Sequence, residues 1–103
     1  MSAANQNVST KKELWRSFAE FHAANPHVYY ELVRLAREAK AAGRTKLGAK
    51  ELYEVARWHL RLRTRGDADF RLNNNHTSFY ARLIQTQEAD LAGMFETRKR
   101  RSR

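Results

Sequence analysis

The stretch FRLNNNHTSFYARLIQ, residues 70–85, concentrates side chains that can recognise nucleic acid. Asparagine and glutamine amides pair with adenine edges, and arginine makes two bonds at once to guanine. Asn74 and Asn75 stand just before a segment in which Phe79, Tyr80, Leu83 and Ile84 recur at helical spacing. Ser78, Ala81, Arg82 and Gln85 then fall on the other side of the same helix. Short residues there let a helix approach a duplex backbone. Ser78, Arg82 and Gln85, with Asn74 or Asn75 beside them, are the expected contacts to bases. The same residues have a plainer use. Asparagine closes turns through its own side chain and tolerates the left-handed region. An amphipathic helix needs a polar side in any case. The two uses are compatible: one Asn can turn the chain while another faces outward.

Affinity for a polyanion needs cations, and this chain segregates them. The net charge is +9 over 103 residues. Residues 34–65 carry ten Lys or Arg against three Glu, whereas residues 66–97 carry two Arg against five acids. A basic face on a third helix is expected from Lys50, Arg57 and Arg61, with Arg34, Arg37, Arg44 and Lys46 nearby in sequence. The last residues, RKRRSR, add Arg98, Lys99, Arg100, Arg101 and Arg103. All of these suit phosphate contacts, which give affinity without sequence choice and weaken with salt. Solubility alone also favours surface charge, but it does not require this segregation.

Other chemistries find little support. There is no cysteine, so neither a disulfide nor a thiolate metal site is available. His22, His27, His59 and His76 include no pair three or four apart on one helix. His76 within NNNHTS has a partial likeness to a nuclease motif, without the further His, Asn and acidic ligands. Phosphate-binding glycine loops and nucleophile elbows are missing. Asp67, Asp69, Glu88 and Asp90 read as loop and helix-start acids. No catalytic residue, metal or cofactor is expected, and the chain reads as a non-enzyme.

The elements that must position these side chains are helices. Residues 1–9 are small and polar and are expected to be a disordered tail. A first helix starts after Ser9 or Thr10 and runs to about Ala24, with Leu14, Phe18 and Phe21 inward. Asn25-Pro26 is a strong start signal, as cap and first helical residue. The helix it opens buries Val28, Leu32, Leu35, Ala36 and Ala39 and ends at Ala42, where Gly43 is placed for a left-handed cap. Residues 44–47, RTKL, form a short connection with room for one strand and lead to a third helix from about Gly48 to Leu62. Its expected inner face is Leu52, Val55, Ala56 and His59, with Trp58 flanking the basic side. A loop over Arg63–Asp69 and an alternating Phe70-Arg71-Leu72, expected as a short strand or extended segment, precede the fourth helix, which Thr77 caps and which ends near Gln87. Leu91, Met94 and Phe95 give a last turn or a short strand.

The expected fold is therefore mainly α, with four to five helices over a single domain, residues 10–97, and a basic tail, residues 98–103. A winged-helix or helix-turn-helix-like plan with room for a short β-hairpin is preferred. The long connection before the fourth helix departs from the simple motif. No run reaches the roughly 18 apolar residues of a membrane span, and MSAANQNVSTKK lacks the apolar core of a secretory signal.

The segments FHAANPHVY, EVARW, FRLNNNHTSFYARL and LAGMFETR, spread over residues 18–98, resemble a group of short uncharacterised proteins encoded by bacteriophages and prophages. The resemblance implies a bacterial cytoplasmic setting and a small phage-encoded role. It brings no activity and no catalytic residue, and it speaks against nuclear import as the use of the tail. Together these readings make a DNA-binding protein the leading expectation, with RNA in third place. The alternative is docking on an acidic host or phage protein through Trp15, Tyr30 and Trp58, rimmed by arginines. The oligomeric state stays open, since no apolar stripe is evidently left over for a dimer.

Overall fold

The computed structural model describes residues 11–63 and 72–95. Four α-helices span them: α1 (Lys11–Ala24), α2 (Pro26–Ala41), α3 (Ala49–Arg63) and α4 (Thr77–Gln87). Short 3-10 turns, Asn74–His76 and Ala89–Leu91, flank α4. No strand forms among the described residues. The connection before α3 and the end of the described chain meet in one isolated parallel bridge, Leu47 to Phe95, where Leu47 N–H donates to the Met94 carbonyl at 2.8 Å. The first helix and the ends of α2 and α3 match their sequence signals within two residues. The loop expected over Arg63–Asp69, all but its first residue, lies outside the described residues, as do Phe70-Arg71 and both tails.

The helix ends show what the local signals do. Pro26 opens α2 as expected, but the Asn25 side chain makes no cap bond to it. Its Nδ2 donates instead to the Phe21 carbonyl at 3.1 Å, closing α1. Gly43 takes a φ of +101°, the conformation that glycine alone adopts without strain, and lets the chain leave α2. Thr77 is already helical, and its Oγ1 donates back to the Asn74 carbonyl. The side-chain cap sits earlier: Asn73 Oδ1 accepts from Asn75 N–H at 2.8 Å and starts the 3-10 turn that leads into α4.

One apolar core joins all four helices. Phe18 from α1, Val28, Leu32 and Ala36 from α2, Tyr53, Ala56 and Leu60 from α3, and Tyr80 and Ile84 from α4 are buried in it. Leu47, Leu72, Leu91, Met94 and Phe95 close it from the connections. Each large apolar side chain so buried contributes roughly 1.5–3 kcal/mol relative to exposure. Phe18 is the aromatic hub. Its ring lies 4.7 Å from that of Tyr80, edge to face, and 5.4 Å from that of Phe79. No described helix is long and apolar enough to cross a membrane.

The inner face of α3 differs from the sequence expectation. Leu52 and Ala56 are buried as expected, but Tyr53 and Leu60 join them, while Val55 points out at 41% exposure and His59 is only half-buried. Both sets fit helical spacing. The choice fell to Tyr53 because its hydroxyl reaches the Asn73 carbonyl at 2.7 Å and ties α3 to the approach of α4. Ala81 also turns inward, so α4 buries Tyr80, Ala81 and Ile84, and its polar side is narrower than expected.

Candidate nucleic-acid interface

Arg57 is the residue that joins the two halves of the expected interface. Its Nη2 lies 2.6 Å from Asn74 Oδ1 and 3.3 Å from the Leu72 carbonyl, so α3 holds the turn that precedes α4. Its Nη1 donates to both carboxylate oxygens of Glu54, and its guanidinium lies 5.7 Å from the centre of the Tyr53 ring. The polar side of α3, with Lys50, Arg57 and Arg61 at i, i+7 and i+11, therefore runs up to the asparagines. The three asparagines divide their work. Asn73 folds the turn, Asn74 accepts from α3, and Asn75 stays exposed. Beyond them, Ser78 and Arg82 are exposed one turn apart on α4.

Gln85 has another use. Its Oε1 accepts from Gly93 N–H at 3.0 Å and Phe95 N–H at 3.3 Å, and so satisfies backbone groups where the chain turns after α4. That oxygen is thereby withdrawn from the base-reading set. The polar side of α4 reduces to Ser78, Arg82 and the exposed Thr86, whose hydroxyl donates to the Arg82 carbonyl.

Several of the expected phosphate ligands are bound within the protein, Arg57 among them through its pair with Glu54. Arg34 pairs with Glu31 and Glu38, both at 2.6 Å. Arg37 clamps the chain beyond α4, reaching Glu88 at 2.8 Å and Asp90 at 2.9 Å, and the Asp90 carboxyl is held down to about 2, chiefly by the Arg37 hydrogen bond. The Lys46 Nζ donates to the Gly93 carbonyl, and Arg44 lies 3.8 Å from Glu51. Lys50, Arg61 and Arg82 make no ion pair among the described residues. The tail cations Arg98, Lys99, Arg100, Arg101 and Arg103 lie outside the described residues.

Glu31 was not foreseen as a special residue. It is 5% exposed within α2. Burial alone would raise its pKa, yet Arg34 on one side and Arg63 at 3.2 Å on the other hold it below the usual carboxylate range. Arg63 thus pins the end of α3 to α2. His76 is equally structural. Its Nε2 lies 3.1 Å from Ser17 Oγ, its ring packs against Phe18 and Phe21, and burial lowers its pKa. Among the described residues no group of three His, Asp or Glu stands close enough to hold a metal ion.

The remaining exposed apolar side chains were only partly anticipated. Trp15 and Tyr30 stand out from α1 and α2, and Trp15 lies edge-on to Phe79. On α3, Val55, Trp58 and Leu62 form a stripe at i, i+3 and i+7, the last two at 61% and 57% exposure. Comparison of the chain with protein-family models, with curated proteins and with solved structures finds no match.

Proposed function

We propose that this protein is a non-enzymatic nucleic-acid-binding protein that docks on duplex DNA with the polar sides of α3 and α4. In this reading α3 is the scaffold and α4 the short reading helix of a helix-turn-helix-like plan, the long connection between them replacing the usual tight turn. Asn75, Ser78 and Arg82 meet base edges, and Lys50 and Arg57 lie along the phosphates with Arg61 at the far end of their row. The basic tail adds further phosphate contacts, and the winged element belongs to this proposal and not to the described fold. A regulatory role in a bacterial, phage-encoded setting fits the sequence resemblance.

The single observation that carries the reading is the bond between Arg57 and Asn74, which sets a row of cations beside the asparagines and the exposed start of α4. Arg34, Arg37 and Arg57 are all paired within the chain, so among the described residues the unpaired charge of this side rests on Lys50, Arg61 and Arg82, and Arg57 chiefly holds the turn. A fluorescence-anisotropy titration of the whole chain on labelled duplex DNA at rising salt tests it. The expected dissociation constant rises steeply with salt, as counterion release requires. Binding that ignores salt, or that favours single-stranded RNA over duplex, overturns the assignment to duplex DNA.

A further inference from the structure

We infer that the exposed side of α3 is a self-association surface, on which a second copy of the chain packs α3 against α3 in antiparallel order. The inference is independent of the nucleic-acid reading. Val55, Trp58 and Leu62 follow the spacing of a coiled-coil seam, and they point away from the core that Leu52, Tyr53, Ala56 and Leu60 enter. Exposed residues of this size, set in a row on one helix, bury best against a matching row.

Charge selects the second copy and its direction. Glu54 and Arg61 stand seven residues apart, so they share one flank of the stripe. The Glu54 carboxylate already accepts from Arg57 of its own chain and keeps lone pairs for a second guanidinium. Arg61 makes no ion pair among the described residues. A two-fold axis crossing α3 near Trp58 sets Val55 against Leu62 of the second copy and the two Trp58 rings beside each other. The same axis sets Glu54 beside Arg61 of the second copy, and Arg61 beside its Glu54. One rotation satisfies the apolar seam and both Glu54–Arg61 pairs, as an isologous interface demands. The aromatic side chain at the axis is the residue type that dominates interfaces when fully covered. In the dimer Arg61 serves this pairing, Arg57 keeps its bonds to Glu54 and Asn74, and Lys50 remains for phosphate.

Sedimentation velocity of the full chain over a range of concentrations tests the proposal. The expected species has twice the mass of the chain, and Trp58→Glu, an exposed position that leaves the core intact, returns it to the single-chain mass. Arg61→Glu and Glu54→Arg, taken separately, each raise the dimer dissociation constant about tenfold or more by placing like charges together. Mixed in equal amounts, these two variants form a heterodimer with both flanks complementary and recover wild-type affinity. A chain that stays single at every concentration overturns the inference. So does a dimer that Trp58→Glu leaves intact, or a mixture no tighter than its components. Circular dichroism of each variant confirms the helical fold.

Discussion

The guanidinium of Arg57 on α3 lies 2.6 Å from Asn74 Oδ1, across the approach to α4. The contact makes the orientation of α4 depend on a residue of another helix. Tyr53, one turn earlier, reinforces it by donating to the Asn73 carbonyl. The proposed interface, drawn from both helices, would therefore be set before a ligand arrives, which would lower the ordering cost of binding.

Arg57→Ala is expected to lower stability by about 1 kcal/mol, since a charged donor to a partly exposed amide and carbonyl is lost. It should also weaken binding to every duplex alike, because the start of α4 is no longer held. Arg82→Ala should leave the melt unchanged and relax the choice among sequences. Denaturant melts and anisotropy on a panel of duplexes separate the two effects. Equal sequence preference in wild type and Arg82→Ala counts against α4 as the reading helix.

The clamp of Arg37 on Glu88 and Asp90 fixes the chain after α4 against α2. The Asp90 carboxyl is held down to about 2, against 3.8 when unperturbed. A carboxylate depressed by folding contributes stability above its unfolded value and loses it as pH falls through the folded value. Asp90→Asn should therefore melt earlier than wild type at neutral pH. The difference should shrink between pH 3.8 and about pH 2 and vanish below. Thermal melts at a series of pH values check this, and a gap that persists in strong acid would assign the effect to packing instead.

Much of this fold was legible in the sequence because helix punctuation is local. Asn25-Pro26 and Gly43 each act within one turn of their own position, so the bounds of α2 follow from the chain alone. The rotation of α3 was not legible. Leu52, Val55, Ala56 and His59 span as narrow an arc as Leu52, Tyr53, Ala56 and Leu60, and the second set wins through tertiary contacts, the burial of Tyr53 and Leu60 and the bond from Tyr53 to Asn73. The outward stripe of Val55, Trp58 and Leu62 was missed for the same reason. Had Val55 been left out of the core, its spacing to Trp58 and Leu62 would have shown the seam. The partners of the cations were also hidden, since Arg37 meets Glu88 and Asp90 from more than fifty residues away. Charge segregation along a sequence does not say which charges are cancelled in space.

Asn73 does more than its neighbours for the local structure. Its Oδ1 accepts from Asn75 N–H and its carbonyl accepts from His76 N–H and the Tyr53 hydroxyl. Asn73→Ala removes the side-chain cap while keeping the carbonyl, and should cost about 1 kcal/mol. Asn75→Ala, at an exposed side chain with no such duty, should change stability by less than about 0.5 kcal/mol. Paired urea melts read both. A larger loss from Asn75→Ala than from Asn73→Ala would show that the capping role has been assigned to the wrong asparagine.

His76 is buried between α1 and the start of α4, with Ser17 Oγ 3.1 Å from its Nε2 and its Nδ1 without a partner among the described residues. Burial holds its pKa below the usual 6.5, so the folded protein resists a proton that the unfolded chain accepts. Stability is then fully present above pH 6.5 and is lost as pH falls toward the folded value. A phenylalanine keeps the ring among Phe18 and Phe21 and cannot titrate. The fall in stability between about pH 7.5 and about pH 5 should therefore be smaller in His76→Phe than in wild type. The same variant gives up the Ser17 bond, which lowers both ends of the range equally and leaves the slope as the diagnostic. Identical slopes would mean that His76 accepts its proton as readily folded as unfolded, and that the cluster opens to water around it.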